Sequence, residues 1–238
     1  EDLLVDRAFH AERRSSGVEL ATTADLAHLA PGGRAENLPA HLLADALAAA
    51  ALARAAGVDA EAVASGLRHY SPGAHRIVTV AEAGGVTWVD DSKATNPHSA
   101  EAALTSLPQG TGVWICGGDT KGAQFFDLVR TVRPHLRGAV VIGKDQSDIL
   151  AALEKEAPGL PVTRISHAAP EQVSAAAVEA AGTMARSGDT VMLAPACASW
   201  DQFTSYAQRG DLFAAAAKAY AGGGTPETTD ASGVQEKL

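Results

Sequence analysis

Three short polar clusters in this sequence contain side chains that can bind anionic small molecules. They read DDSKATN at 90–96, GGDTKG at 117–122 and APACASWDQF at 194–203, and each follows an apolar run. Lysine ammonium groups hold carboxylates and phosphates through charge-assisted hydrogen bonds. Small residues after a strand let the backbone approach a ligand closely. The clusters therefore indicate a site for an anionic ligand.

The glycine-rich cluster at 117–122 is not a phosphate-binding P-loop. That motif needs four residues between its first glycine and a Gly-Lys-Ser/Thr triplet. Here Lys121 precedes Gly122 and no hydroxyl residue follows, so Lys121 needs another role. An oxidoreductase with a dinucleotide fingerprint is also disfavoured, because no G-x-G-x-x-G follows a strand.

Each cluster also has an ordinary structural explanation that the residues alone leave open. Ser92, Thr95 or Asn96 could cap the helix that follows. Lys93 could form no more than a solvated ion pair, and Gly-Gly-Asp is common turn chemistry. Asp201 could be an acid in the first turn of the next helix.

Two further residues have competing interpretations. Cys197 is flanked by alanines and has no histidine placed to act as its base, which favours a small buried thiol over a nucleophile. Arg76 follows the stretch SPGAH at 71–75, which is predicted to be a domain boundary or hinge. Its guanidinium is either a surface charge or a group that closes over a phosphate or ribose.

The elements that must position these clusters alternate between strands and helices. IVTVAE and VTWVDD flank the turn AGG, which predicts a β-hairpin. Further strands are predicted at VWICGG, AVVIG, VTRIS and TVMLAP, and helices at 38–56, 60–67, 98–106, 126–134, 147–157, 171–186 and 202–220. This predicts an α/β fold, a Rossmann-like and mostly parallel sheet with helices on both faces. Ligands bind beyond the carboxyl ends of such strands, so the three clusters are expected at one rim.

Composition excludes several classes of function. The chain has 238 residues, 46% of them hydrophobic and 20% charged, and a net charge of -9, which argues against general binding to nucleic acid. Two cysteines do not make a disulfide framework or a zinc site. With no signal peptide and no apolar stretch long enough for a membrane span, the expected location is cytoplasmic. The missing initiator Met and the opening in mid-pattern indicate a fragment.

The clusters together resemble the carboxyl-terminal part of the D-glutamate-adding enzymes of the Mur ligase family. The resemblance is carried by HR at 75–76, VDDSKATNP at 89–97, GGDTKG at 117–122, SGD at 187–189 and APACASWDQFTSYAQRG at 194–210. It implies a remnant of the family's central ATPase domain at 1–70, a Rossmann-like D-glutamate-binding domain at 71–221 and a disordered tail at 222–238.

The resemblance also implies a reaction. In this family, ATP phosphorylates the alanyl carboxylate of UDP-N-acetylmuramoyl-L-alanine, and the amine of D-glutamate attacks the acyl phosphate in peptidoglycan precursor synthesis. The magnesium ligands and the P-loop are expected upstream, since no Gly-Lys-Ser/Thr triplet occurs in this sequence. The expected full-length enzyme is a monomer, and the isolated chain is expected to be inactive. The alternative is a non-catalytic small-molecule binding module that keeps the fold.

Residue roles on the amino-acid side follow from the family's motifs. Lys121 matches the lysine that pairs with a D-glutamate carboxylate and is expected to be catalytic. Thr95 and Ser199 match hydroxyl donors to the same substrate. Trp200 and Tyr206 match positions that line that pocket.

Three residues match the ATP side, namely Arg76, Asp91 and Lys93, with Lys93 also expected to be catalytic. One departure concerns HLLAD at 41–45, where the family often has asparagines that contact adenine. Leu42 and Asp45 stand at those places, so adenine contacts from this helix are absent or made differently.

Overall fold

A computed structural model describes residues 2–223 of the chain. The tail predicted at 222–238 lies outside the described residues, apart from Gly222 and Gly223. The described residues form a small amino-terminal unit followed by a larger α/β unit, and these have separate apolar cores. Between residues 2 and 223, no helix is both long enough and apolar enough to cross a bilayer.

The amino-terminal unit combines a hairpin with two helices. Strands β1 (Leu3–Asp6) and β2 (Val18–Thr22) pair antiparallel. Short 3-10 turns at 24–37 lead to α1 (Ala40–Ala55) and α2 (Ala60–His69), close to the predicted helices at 38–56 and 60–67. The unit's core contains Leu4, Leu20, Leu26, Leu29, Ala46, Ala50, Val63 and Leu67.

The larger unit is built on a six-stranded sheet. Its strands are β3 (Val78–Ala83), β4 (Val86–Asp90), β5 (Gly112–Gly117), β6 (Leu136–Ile142), β7 (Val162–Arg164) and β8 (Thr190–Leu193). They lie in the order β3-β4-β8-β5-β6-β7. The predicted hairpin is confirmed, because β3 and β4 pair antiparallel, and the other neighbours are parallel.

Helices cover both faces of this sheet, as predicted. Strand β5 is buried along its whole length, and its side chains alternate between the two faces. Trp114 packs in the core under α3 (Pro97–Leu104), α4 (Phe126–Val132) and α5 (Ser147–Glu156). Ile115 packs in the opposite core under α6 (Pro170–Met184) and α7 (Tyr206–Ala221). The mostly parallel α/β prediction is therefore confirmed.

The predicted start of the last helix at residue 202 is wrong, because α7 begins at Tyr206. Gln202 is held in a turn, where its side-chain oxygen accepts the Gly143 N–H at 2.7 Å and its amide donates to the His167 carbonyl at 3.1 Å. Ser205 then caps the helix by accepting the Gln208 N–H. Long-range hydrogen bonds thus override the local helical pattern.

The connection between the two units runs through residues 70–77. Leu42 of α1 packs against the cores of both units, and Gly32 N–H donates to Thr79 Oγ1 at 3.1 Å. His75 and Ile77 have positive φ angles of 63° and 53°, an uncommon conformation for residues other than glycine. The hinge at 71–75 remains a prediction.

Candidate functional site

The three polar clusters follow three adjacent strands, β4, β8 and β5. Main-chain hydrogen bonds join their loops beyond the strands. Gly117 N–H donates to Pro195 O at 2.9 Å, and Asp119 and Ala198 exchange two such bonds at 2.9 Å each. Ala196 N–H donates to Ala94 O, also at 2.9 Å. The loop at 194–203 therefore lies between the other two and is bonded to both.

The cluster at 90–96 contains one helix cap and a lysine held on an aromatic ring. Asn96 caps α3 by accepting the Ser99 N–H at 3.0 Å, so the structural explanation holds for that residue but not for Ser92 or Thr95. Lys93 forms no ion pair within residues 2–223. Its ammonium lies 3.8 Å from the centroid of the Tyr206 ring.

Asp91 is a buried carboxyl group at the end of β4. Burial raises its pKa to about 8, and the nearby Asp90 carboxylate acts in the same direction. The Ile77 N–H and the Arg76 charge oppose this shift. An acid whose pKa is raised in the folded protein lowers the stability of the fold as pH rises, because the folded state then holds a poorly solvated charge.

Replacing Asp91 with asparagine is expected to stabilise the protein, and to do so more at high pH. The gain should grow as pH rises from about 4 to about 8 and then stay constant, because the wild-type carboxylate is charged and poorly solvated above that range. Each pKa unit corresponds to about 1.4 kcal/mol, so a gain of a few kcal/mol is expected. Urea denaturation of both proteins at pH 5, 7 and 9 measures it. A difference that does not vary with pH would contradict the burial of this charge.

The cluster at 117–122 depends on glycines for its shape. Gly117 and Gly118 have φ angles of 113° and 131°, and a Cβ atom at either position would collide with a backbone oxygen, of Ile142 and Ala198 respectively. Lys121 is exposed and also has a positive φ, of 48°. Its own N–H donates to Asp119 Oδ1 at 3.1 Å.

The cluster at 194–203 combines a buried hydroxyl with an exposed ring. Ser199 is buried, whereas Trp200 is 67% exposed. Asp201 lies before α7 rather than in its first turn, and its Oδ2 accepts the Lys144 N–H at 2.9 Å. Burial raises the pKa of the Cys197 thiol to about 12, which agrees with the prediction of a buried thiol rather than a nucleophile.

Arg209, for which the sequence predicted no role, contacts two of the three clusters. It is 1% exposed, and burial lowers its pKa to about 10. It donates to Ser92 Oγ and Ser92 O at 2.9 Å and to Cys197 O at 3.2 Å, while Ser92 Oγ donates to Tyr206 O at 2.7 Å. One buried cation thus joins two of the clusters to the start of α7. An arginine on a helix is usually exposed, so its position on a predicted helix gave no sign of this burial.

His75 and Asp90 form a partly buried polar pair next to Ser92, a hydrogen-bond partner of Arg209. His75 Nδ1 is 2.7 Å from Asp90 Oδ2, and Asp90 Oδ1 accepts the Ser92 N–H at 2.9 Å. Helix α7 approaches this pair through Gly210, where a Cβ atom would collide with the His75 ring. The His75 carbonyl also accepts the Lys93 N–H at 3.0 Å.

The structure places the predicted site residues in two groups. Arg76, Asp91, Lys93 and Tyr206 lie around the end of β4 and the start of α7, and the remaining ones follow β4, β5 and β8: Thr95, Lys121, Ser199 and Trp200. Asp45 is exposed and borders an apolar cavity of about 420 Å³ in the amino-terminal unit. No group of three His, Cys, Asp or Glu side chains that could hold a metal occurs among the described residues.

This arrangement defines an α/β domain in which three polar loops meet at the carboxyl edge of a mostly parallel sheet, the edge at which such folds bind ligands. Residues 75–197 match the family described as Mur ligase, glutamate ligase domain. The chain therefore belongs to the Mur ligase family.

Full-length relatives extend the comparison. The chain is 49% identical over 222 residues to the UDP-N-acetylmuramoylalanine--D-glutamate ligase of Thermobifida fusca (strain YX). This match covers 93% of this chain and 45% of the relative. It is 50% identical over 218 residues to the enzyme of the same name from Streptomyces avermitilis, covering 92% and 44%. The chain thus spans less than half the length of these relatives.

Solved structures share the fold at much lower identity. The MurF ligase of Thermotoga maritima in complex with ADP matches with a TM-score of 0.51 and 15% identity, over 87% of this chain and 42% of that one. A MurF structure from Acinetobacter baumannii matches with a TM-score of 0.53 and 17% identity, over 85% and 40%. At such identities the likeness concerns the fold alone.

Proposed function

We propose that this chain supplies the D-glutamate-binding part of an ATP-dependent UDP-N-acetylmuramoyl-L-alanine:D-glutamate ligase. The observation that carries the proposal is the near 50% identity to ligases of that name over more than 90% of the chain. In the proposed reaction, ATP activates the alanyl carboxylate as an acyl phosphate and the D-glutamate amine displaces phosphate. The product is a precursor of peptidoglycan.

The amino-acid side of the site consists of groups suited to a dicarboxylate. Lys121 offers an exposed ammonium group beyond the end of β5, and Thr95 and Ser199 offer hydroxyls on the loops that follow β4 and β8. Trp200 and Tyr206 line the same pocket. The adjacency of the three strand ends supports this assignment, because a dicarboxylate needs cationic and hydroxyl donors from more than one direction.

The nucleotide side involves Arg76, Asp91 and Lys93. Arg76 and Lys93 would contact phosphates, and Asp91 would accept hydrogen bonds from ribose hydroxyls when ionised. The loop at 90–96 thus serves both ligands, since it also contains Thr95. Catalysis in this scheme comes from positioning the amine and the acyl phosphate, with electrostatic stabilisation by Lys93 and Lys121.

The remaining assignments concern the complete enzyme. Residues 1–70 would be the end of its ATPase domain and residues 71–221 its acceptor domain. The Mg²⁺ ligands of the complete enzyme would come from upstream sequence, as the family resemblance implies. A cytoplasmic monomer is proposed for the full-length enzyme.

Ligation of D-[14C]glutamate to UDP-N-acetylmuramoyl-L-alanine tests the proposal. The full-length gene product is expected to form the radiolabelled product only when ATP is present. The 238-residue chain alone is expected to be inactive, because it contains no Gly-Lys-Ser/Thr triplet. Robust turnover by this chain alone would contradict the fragment interpretation. Absence of turnover by the full-length protein, with D-glutamate still bound, would favour the non-catalytic binding module.

A further inference from the structure

We propose that Tyr206 positions the ammonium group of Lys93 for the nucleotide, in addition to lining the amino-acid pocket. The inference rests on the proposed function and extends it, because it makes one aromatic ring a shared part of two subsites. It follows from the contact between Lys93 and the face of the Tyr206 ring.

The geometry is that of a cation–π interaction. The Lys93 nitrogen lies 3.8 Å from the ring centroid, well within the range over which a cation is attracted to the ring face. Both side chains are partly buried, which strengthens the attraction relative to a fully solvated pair. A ring occupies only one side of an ammonium group, so donors on the other side remain available to an anionic phosphate.

Both partners are held in place by their backbones. The Lys93 N–H donates to His75 O at 3.0 Å, and the Tyr206 carbonyl accepts the Ser92 hydroxyl at 2.7 Å. The Tyr206 ring also meets the His75 ring edge-on, with centroids 6.1 Å apart. Arg209 donates two hydrogen bonds to Ser92. The ring is therefore a rigid support rather than a mobile surface side chain.

The Tyr206 ring strengthens nucleotide binding by restraining the Lys93 side chain before the nucleotide arrives. A free lysine side chain loses rotamer entropy when it is fixed on a phosphate. A lysine already restrained over a ring loses less, so its contact with the nucleotide becomes stronger. Tyr206 is thus a positioning residue that acts through Lys93, and its hydroxyl group has no part in this role.

Isothermal titration of ATP into the full-length protein tests the role without requiring turnover. Tyr206→Leu is expected to weaken ATP binding about 5-fold, the size of a partly buried cation–π contact. Tyr206→Phe keeps the ring face and is expected to restore the wild-type affinity. Tyr220→Leu is the control, and it is expected to leave ATP binding unchanged. Tyr220 lies in the same helix as Tyr206, but its ring packs on Trp88 of β4.

A double-mutant cycle separates positioning from general damage to the site. In a Lys93→Met background, Tyr206→Leu is expected to change ATP affinity by no more than about 2-fold, since the group through which it acts is gone. An equal loss of affinity with and without Lys93 would overturn the inference, because a structural defect persists in both backgrounds. Unchanged or tighter ATP binding in Tyr206→Leu would overturn it as well.

The ligation assay on the same preparations separates this inference from the proposed function. A wild-type protein that neither binds ATP nor ligates D-glutamate would overturn both. A wild-type protein that does both, with no specific effect of Tyr206→Leu, would overturn the positioning role alone.

Discussion

Replacing Lys121 with alanine is expected to raise the KM for D-glutamate by about 10- to 100-fold. The estimate corresponds to the loss of one charge-assisted hydrogen bond, worth roughly 1.5–3 kcal/mol. Lys121 is assigned to a substrate carboxylate, and D-glutamate has two such groups that need cationic partners. Because Lys121 is not assigned to the nucleotide, the KM for ATP should change much less.

The backbone at Lys121 supports a site role. A lysine with a φ of 48° is strained, and such strain persists where surrounding contacts enforce it and is concentrated at functional sites. Here the Lys121 N–H is held by the Asp119 carboxylate, and Asp119 is in turn joined to Ala198 by two main-chain hydrogen bonds. The lysine is thus presented from a fixed loop rather than a free one.

Steady-state ligation kinetics with D-glutamate varied at saturating ATP measure this effect. Lys144→Ala is a matched control, since Lys144 is an exposed lysine that follows the neighbouring strand β6. The control should retain the wild-type KM. If Lys121→Ala leaves turnover and the KM for D-glutamate unchanged, Lys121 does not bind the substrate carboxylate.

Gly118→Ala is expected to cause a large loss of folding stability, about 3 kcal/mol or more. The new Cβ would meet the Ala198 carbonyl oxygen, and overpacking of this kind costs roughly 1–3 kcal/mol. The φ angle of 131° adds a conformational penalty, because residues with a Cβ rarely adopt it. Relief would require movement of the loop at 194–203, which contains Ser199.

Gly122→Ala separates the two contributions to that loss. Gly122 also has a positive φ, of 77°, but no atom lies within 4 Å of a Cβ built there. Its replacement should therefore cost only the conformational part, about 1–2 kcal/mol. Urea denaturation followed by tryptophan fluorescence compares the two variants. Equal losses would show that the contact with Ala198 has little effect.

Much of the fold was predictable because its signals are local. Apolar runs such as VWICGG and TVMLAP are strands in the structure, and the amphipathic segments between them are helices. The end of α1 next to Gly57 was equally readable from the sequence. Prediction failed at residues 202–205, where the Gln202 side chain binds a glycine 59 residues away in sequence.

The candidate site was predictable only in part. Lys93, Lys121 and Ser199 could be selected as candidates from the sequence because they follow predicted strands, where α/β folds bind ligands. Arg209 was not assigned, because its partners Ser92 and Cys197 are brought to it by the fold. The raised pKa of Asp91 could not be predicted from the sequence either, because it results from burial in the folded protein.

The sequence by itself determined which segments form strands and helices and which polar clusters end the strands, because side-chain periodicity and turn chemistry act over a few residues. Only the tertiary structure decided that β8 lies between β4 and β5, which joins the three clusters into one rim. It also decided that Lys93 rests on Tyr206 and that Arg209 is buried against carbonyl groups. These features depend on contacts between residues as many as 117 positions apart, which no local pattern encodes.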